Sequence, residues 1–263
     1  MTVACVGDNC IDRYTAPVRL DMVGGNALNV AVGLARHGLS TAYLGAIGDD
    51  DEGRAVIDAL AAAGVDSGRV VTAPDDTAVT IVELTESGDR MFVEERLGVG
   101  AAYRPTADDV GFLRGCAWVH AVGLAAPAGL LAELHPARMS FDFSQLGGDA
   151  LLEEMAPLLE VAFLSGAGIP RREAVELARA TVAAGARLAV VTRGREGSLA
   201  WNGRLVEQEA APVDVVDTLG AGDALIAGVI EALVDGADVA QALAAGGEAA
   251  ALACTHFGAW QPA

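Results

Sequence analysis

Asp217-Thr218-Leu219-Gly220-Ala221-Gly222-Asp223 is the stretch around which the rest of the chain is organised. It follows an extended segment, Ala211-Pro212-Val213-Asp214-Val215-Val216. It leads into a run in which Leu225, Ile226, Val229, Ile230 and Leu233 recur at helical spacing. Gly220, Ala221 and Gly222 at the mouth of that helix leave backbone N–H groups uncovered. With the positive end of the helix dipole, those groups form an anion site. Asp223 is out of place in such a cradle unless it handles a proton. Phosphoryl transfer needs this pairing: donors that hold the phosphoryl group, and a base for the attacking hydroxyl. A plain strand–turn–helix junction with an acidic first turn is the competing reading.

Composition narrows the chemistry. The chain has 263 residues, 52% hydrophobic and 20% charged, with a formal net charge of -19. That suits one large α/β domain and argues against nucleic acid as a partner. All 17 basic residues are arginine. Without lysine there is no Walker-type phosphate loop and no Schiff base. A nucleotide site here must use backbone N–H groups, arginine and a metal ion. Cys5, Cys10, Cys116 and Cys254 match no zinc or redox spacing. Cys5, Cys116 and Cys254 read as small core residues, and Cys10 as a loop thiol. Unpaired cysteines, no leader-like start and an apolar opening too short to anchor give the expectation of a cytoplasmic chain with no membrane partner.

The order of elements predicts the fold. Thr2–Val6 reads as a buried strand ending in the loop Gly7-Asp8-Asn9-Cys10-Ile11-Asp12, where Asp12 is either a hydroxyl acceptor or a turn cap. Tyr14–Asp21 is a short segment suited to a strand outside the main sheet. Gly24-Gly25-Asn26 then opens a helix. Paired glycines allow close backbone approach, and Asn26 and Asn29 share a helix side, suited to sugar hydroxyls or to capping. Thr41–Ile47 reads as a second buried strand, and the acidic run after it caps a helix from Glu52 to Ala63. Thr77–Glu86 and Arg90–Arg96 alternate around Ser87-Gly88-Asp89, a hairpin with one solvated face. Strands are predicted at Ala117–Val122, Met139–Phe143, Val161–Leu164 and Leu188–Thr192. Helices are predicted at 127–134, 149–159 and 170–184. Arg193–Gly197 follows the last of these strands with glycines that suit a nucleotide, and a hairpin follows at Ser198–Glu207. The last helix, Val239–Cys254, carries Gly246-Gly247, placed for a flat ligand or for a neighbouring helix.

These landmarks, in this order and nearly end to end, resemble the ribokinase-like (PfkB) carbohydrate kinases. Gly24-Gly25-Asn26…Asn29 resembles the family's first signature and Asp217–Asp223 its second. Gly7–Asp12, Gly25–Val32, Phe141-Asp142-Phe143-Ser144 and Gly258-Ala259-Trp260 are similar to its fructosamine-phosphorylating branch, the fructoselysine 6-kinases. The resemblance implies a three-layer α/β/α fold with a mostly parallel central sheet and a small β-sheet lid. It implies one domain over 1–263, with lid strands inserted at about 12–23 and 76–98. Asp223 would be the base, with Gly220, Ala221 and Gly222 the anion hole. Asp12, Gly24, Gly25, Asn26, Asn29, Glu94 and Arg96 would meet the sugar. By their charge and lid position alone, and not by the resemblance, Glu94 and Glu95 could attract the amino group of a lysine-bearing substrate, or simply solvate a strand. Ser165, Thr192, Gly194, Gly197 and Gly247 would line the ATP site, and Asp217 would stand beside a monovalent cation such as K+. ATP and Mg2+ are implied, as are a small sugar or sugar-amine substrate and a homodimer joined through the lid. The implied reaction is phosphorylation of the primary 6-hydroxyl of a ketosamine or ketose. Another sugar or nucleoside kinase, and a sugar or nucleotide sensor without turnover, are the alternatives. One departure stands out: the family's Asn-x-x-Glu is replaced by Ser165-Gly166-Ala167-Gly168, with Glu173 the nearest acid beyond.

Overall fold

The computed structural model describes residues 1–123, 127–135, 137–144 and 149–261. Its frame follows from continuous apolar strands. β1, Thr2–Gly7, sends Val3 and Cys5 to one core and Ala4 and Val6 to the other, as a period of two requires. Seven further strands join it: β4 (Ser40–Leu44), β9 (Trp118–Val122), β10 (Met139–Asp142), β11 (Val161–Ser165), β12 (Leu188–Thr192), β13 (Ser198–Trp201) and β14 (Leu205–Gln208). Their order is β14-β13-β12-β11-β10-β9-β1-β4. The strands from β12 to β4 are parallel, and β13 and β14 add an antiparallel edge hairpin.

Helices cover both faces. α1 (Asn26–Arg36), α2 (Asp51–Ala62), α7 (Ala221–Val234) and α8 (Val239–Ala253) bury their apolar sides in one core. α3 (Ala107–Arg114), α4 (Pro127–Leu134), α5 (Asp149–Met155) and α6 (Arg171–Ala183) do so in the other. The result is the expected three-layer α/β/α arrangement. Caps set the helix starts: the Asp50 carboxylate accepts from Gly53 N ahead of α2, and Asp238 and Gln241 form a capping box ahead of α8. α7 and α8 meet at Gly246, where a side-chain carbon would come within 2.8 Å of Leu225 O, so this glycine serves helix packing.

A second sheet lies outside the frame, in the order β3-β2-β7-β8. It comprises β2 (Cys10–Ala16), β3 (Leu20–Gly24), β7 (Val79–Leu84) and β8 (Arg90–Arg96). Three sequence expectations change. Thr41–Ile47 is not one strand: it breaks at Gly45, and Ala46–Gly48 (β5) pairs with Val71–Ala73 (β6) instead. An unbroken apolar run cannot by itself distinguish one strand from two. Ala211–Val216 forms no strand, and Val213, Val215 and Val216 are exposed. Cys5 is buried, but Cys116 and Cys254 are only half-buried. Among the described residues, no helix is long and apolar enough to cross a membrane.

Candidate active site

The turn into α7 is a helix start with no side-chain cap among the described residues. Gly220 takes the N-cap position at φ 77°, in the left-handed region. A side-chain carbon there would lie 2.2 Å from Ala259 Cβ. Without such a cap, the amides of Gly222 and Asp223 in the first turn of α7 keep their hydrogens for a ligand. Asp223 is 8% exposed. Burial pushes its pKa up to about 8. The Asn29 amide and the Arg90 charge pull it back, and Asp142 and Asp8 push it further up. A carboxyl so poised can take a proton near neutral pH.

Asp8 and Asp142 were passed over in the sequence. Asp8 follows β1, and its carboxylate accepts from Asn26 N at 3.1 Å and Ala27 N at 3.0 Å, capping α1 from outside the helix. Asp142 ends β10, and its carboxylate accepts from Ser144 N at 2.7 Å and Ser144 Oγ at 3.0 Å. Its pKa rises to about 6, chiefly from burial. Both stand at carboxyl ends of parallel strands, where ligands gather in open α/β sheets. That rule alone could have found them.

The Gly-Gly-Asn segment is placed beside Asp223, but its glycines have structural neighbours. A side-chain carbon on Gly24 would meet Asp12 Oδ2 at 1.9 Å, and one on Gly25 would meet Asn9 Cα at 2.4 Å. Their smallness admits protein atoms. Asn29 Nδ2 donates to Asp223 Oδ2 at 2.8 Å, while its Oδ1 accepts from Trp260 Nε1 at 3.1 Å. Asn29 thus holds the Asp223 carboxyl, where a sugar contact was expected. Asn26 is half-buried, with Nδ2 3.5 Å from Ser144 Oγ. Asp12 is buried, with its pKa raised to about 7 by burial above all. The Cys10 thiol donates to it at 3.3 Å, so Cys10 begins a strand beside the site and its own pKa is raised well above the usual thiol value, mainly by burial.

Asp217, expected beside a monovalent cation, accepts three hydrogen bonds. It is 0% exposed. Its Oδ2 accepts from Tyr14 OH at 2.5 Å and Gly258 N at 2.9 Å, and its Oδ1 from Leu219 N at 2.8 Å. These bonds tie the loop to the small sheet and to the C-terminal segment.

The register of the small sheet corrects two further expectations. Asp12 pairs with Thr80, and Thr80 with Glu95. Paired residues share a sheet face. Glu95 therefore lies on the Asp12 face. Glu94, opposite Ile81, and Arg96, opposite Val79, lie on the other face, ion-paired at 3.2 Å. A bulge between Phe92 and Glu94 causes the switch. Arg90 was also missed. Opposite Leu84, it sits on the Asp12 face, and its guanidinium donates to Thr218 O at 3.3 Å. Its charge reaches both Asp12 and Asp223.

The expected nucleotide residues gather at one end of the sheet. Ser165 and Thr192 are paired at the carboxyl ends of β11 and β12. Gly194 has open space around it. Gly197 admits Gln208 O, which a side-chain carbon would meet at 2.0 Å. Gly247 of α8 faces the Gln208 side chain. Glu173 is exposed in the first turn of α6.

Comparison with known proteins places this geometry. The pfkB family carbohydrate kinase model matches residues 20–114 and 158–263. The chain belongs to the PfkB family of carbohydrate kinases. It is 38% identical to a fructoselysine 6-kinase of Shigella flexneri, over 98% of this chain and 99% of that protein. It is 33% identical to a fructosamine kinase of Bacillus subtilis, over 99% and 93%. In fold it is similar to an Arabidopsis thaliana ribokinase solved with ribose and ATP, at a TM-score of 0.84 and 20% identity, covering 98% of this chain and 93% of that one. The chain is thus an ATP-dependent carbohydrate kinase whose substrate is a small sugar.

Proposed function

We propose that this PfkB kinase phosphorylates the 6-hydroxyl of a fructosamine such as fructoselysine, with Asp223 as the base. The buried Asp223 in the uncapped first turn of α7 is the observation that carries the mechanism. Asp223 accepts the proton of the attacking hydroxyl while that oxygen bonds to phosphorus and the nucleoside diphosphate leaves. The Gly222 and Asp223 amides and the dipole of α7 stabilise charge on the moving phosphoryl group. Arg90 adds positive charge in a chain that has no lysine. Asp12 accepts from a sugar hydroxyl, and Asn26 stands ready to donate to one.

The open amides of α7 and the end of the sheet at Ser165, Thr192 and Gly194 suit the phosphates and the nucleoside of ATP. Among the described residues, no group of three or more His, Cys, Asp or Glu is arranged to hold a metal. Mg2+ would then be held by phosphate oxygens and water, with one or two carboxylates of this chain. When bound, it would neutralise phosphate charge. The small sheet acts as a lid. The exposed Met91, Val93 and Leu97 on and just beyond its edge strand support a homodimer formed there.

The fructosamine reading draws on the names of the relatives, and the alternative draws on another: a fructokinase of Salmonella typhimurium is 30% identical over 81% of this chain. A coupled assay for ADP release with fructoselysine, fructose, ribose and nucleosides decides between them. A kcat/KM for fructose above that for fructoselysine would overturn the fructosamine reading.

The lid register adds a prediction. Glu95 shares a face with Asp12 and Glu94 does not, so Glu95→Gln should raise KM for fructoselysine about threefold to tenfold, with little change for fructose. Glu94→Gln should leave the ratio of the two substrates alone. Steady-state kinetics on both substrates checks this, and equal effects from the two variants would remove Glu95 from recognition.

A further inference from the structure

The C-terminal segment reaches the catalytic apparatus at three successive residues. Gly258 N donates to Asp217 Oδ2 at 2.9 Å. Ala259 lies against Gly220. Trp260, 8% exposed, donates from Nε1 to Asn29 Oδ1 at 3.1 Å, and Asn29 Nδ2 donates in turn to Asp223 Oδ2 at 2.8 Å. Arg36 lies over the Trp260 ring at 5.3 Å and donates to the Gln261 carbonyl, which holds the indole in place.

The chain of bonds has one permitted direction. An indole N–H only donates, so the Asn29 amide must turn its oxygen toward Trp260. Its N–H2 then faces the carboxylate. The flipped amide would set two donors against each other at Trp260 and two oxygens against each other at Asp223. We propose that Trp260 is a positioning residue: by fixing the Asn29 amide, it aims a donor at Asp223 that favours the charged form, the form that accepts the substrate proton. This rests on the reading of Asp223 as the base. The other groups whose charge reaches Asp223 are Asp8 after β1, Asp142 at the end of β10 and Arg90 on β8. None of them touches Trp260 by hydrogen bond, so removing the indole N–H isolates the Asn29 link.

Trp260→Phe keeps a ring in place and removes the donor. With the freed amide able to flip, Asp223 loses a hydrogen bond to its charged form, and its pKa rises. The acid limb of kcat/KM for the sugar, measured at saturating nucleotide, should move to higher pH by about one unit. Activity at high pH should recover toward that of the parent enzyme. A uniform loss at every pH, with the limb unmoved, would show a merely structural tryptophan and overturn the proposal. Asp223→Asn is measured alongside. If it retained near-normal turnover, the base assignment itself would fail, whatever Trp260→Phe does. A second readout does not depend on that variant folding. In 15N-labelled parent enzyme, the Trp260 indole signal, assigned by elimination using Trp118→Phe and Trp201→Phe, should shift as Asp223 titrates and stay still in Asp223→Asn. A Trp260 signal unmoved through that titration would also overturn the proposal.

Discussion

Asp223→Asn should lower kcat by roughly 10²–10⁴-fold, the range general-base catalysis contributes, while sugar affinity changes little. The asparagine keeps the size of the side chain, and its oxygen can still accept from Asn29 Nδ2, now at 2.8 Å from Asp223 Oδ2. What disappears is the site for the proton. The same substitution should make the ligand-free protein more stable at high pH. Asp223 has a folded pKa of about 8 against an ordinary value of 3.8, with burial the main cause. The native state thus holds this proton to higher pH than the unfolded chain does. Stability linked to this group is fully present below the ordinary pKa and is lost as pH rises toward the folded one. Above that point the parent protein carries a buried charge that the variant lacks, a difference on the order of a few kcal/mol. Thermal melts across that pH span, beside steady-state kinetics, check both halves. A variant that is inactive and also less stable at high pH would mean that Asp223 is a structural support rather than a base held at a cost.

That cost explains which parts of the site could be read from sequence. The Asp217–Asp223 loop is legible because its signals are local: small residues, then a helical apolar period, with an acid where an anion is expected. The parallel frame is legible for the same reason, since continuous apolar strands alternate with helices. Asp8 and Asp142 are legible at strand ends, whereas the roles of Asn29, Trp260 and the lid residues depend on contacts between distant parts of the chain. Trp260 and Asn29 are 231 positions apart. Nothing near either residue announces the bond. Strict alternation from Arg90 puts Phe92, Glu94 and Arg96 on one face, yet the extra residue in the bulge turns Glu94 and Arg96 away and brings Glu95 in. One inserted residue reverses every side chain beyond it. Gly24 and Gly25 carry a similar ambiguity: a sequence shows that something comes close to the backbone, and only the fold shows that it is Asp12 and Asn9.

Gly220→Ala and Gly222→Ala, two residues apart in the same loop, should fail for different reasons. At Gly220 the new carbon would lie 2.2 Å from Ala259 Cβ and 2.4 Å from its Cα, and φ of 77° already disfavours an L side chain. Ala259 is bracketed by Gly258, bonded to Asp217, and Trp260, bonded to Asn29, so it cannot retreat without loosening both. Overpacking and strain together should cost about 1–3 kcal/mol of stability. The displaced cradle should cost about 10²–10³-fold in kcat, as loss of an oxyanion donor does. At Gly222 nothing among the described residues lies within 4 Å of the added carbon. Its place in the first turn of α7 favours alanine over glycine by up to about 1 kcal/mol. Gly222→Ala should therefore match or exceed the parent in thermal stability. Its activity should still fall, because the new methyl group occupies the space where the phosphoryl group meets the helix. Melting temperature and kcat measured on both variants separate the two glycines. If Gly222→Ala kept full turnover, the phosphoryl group would not lie against that turn, and the anion hole would have to be sought elsewhere along Asp217–Asp223.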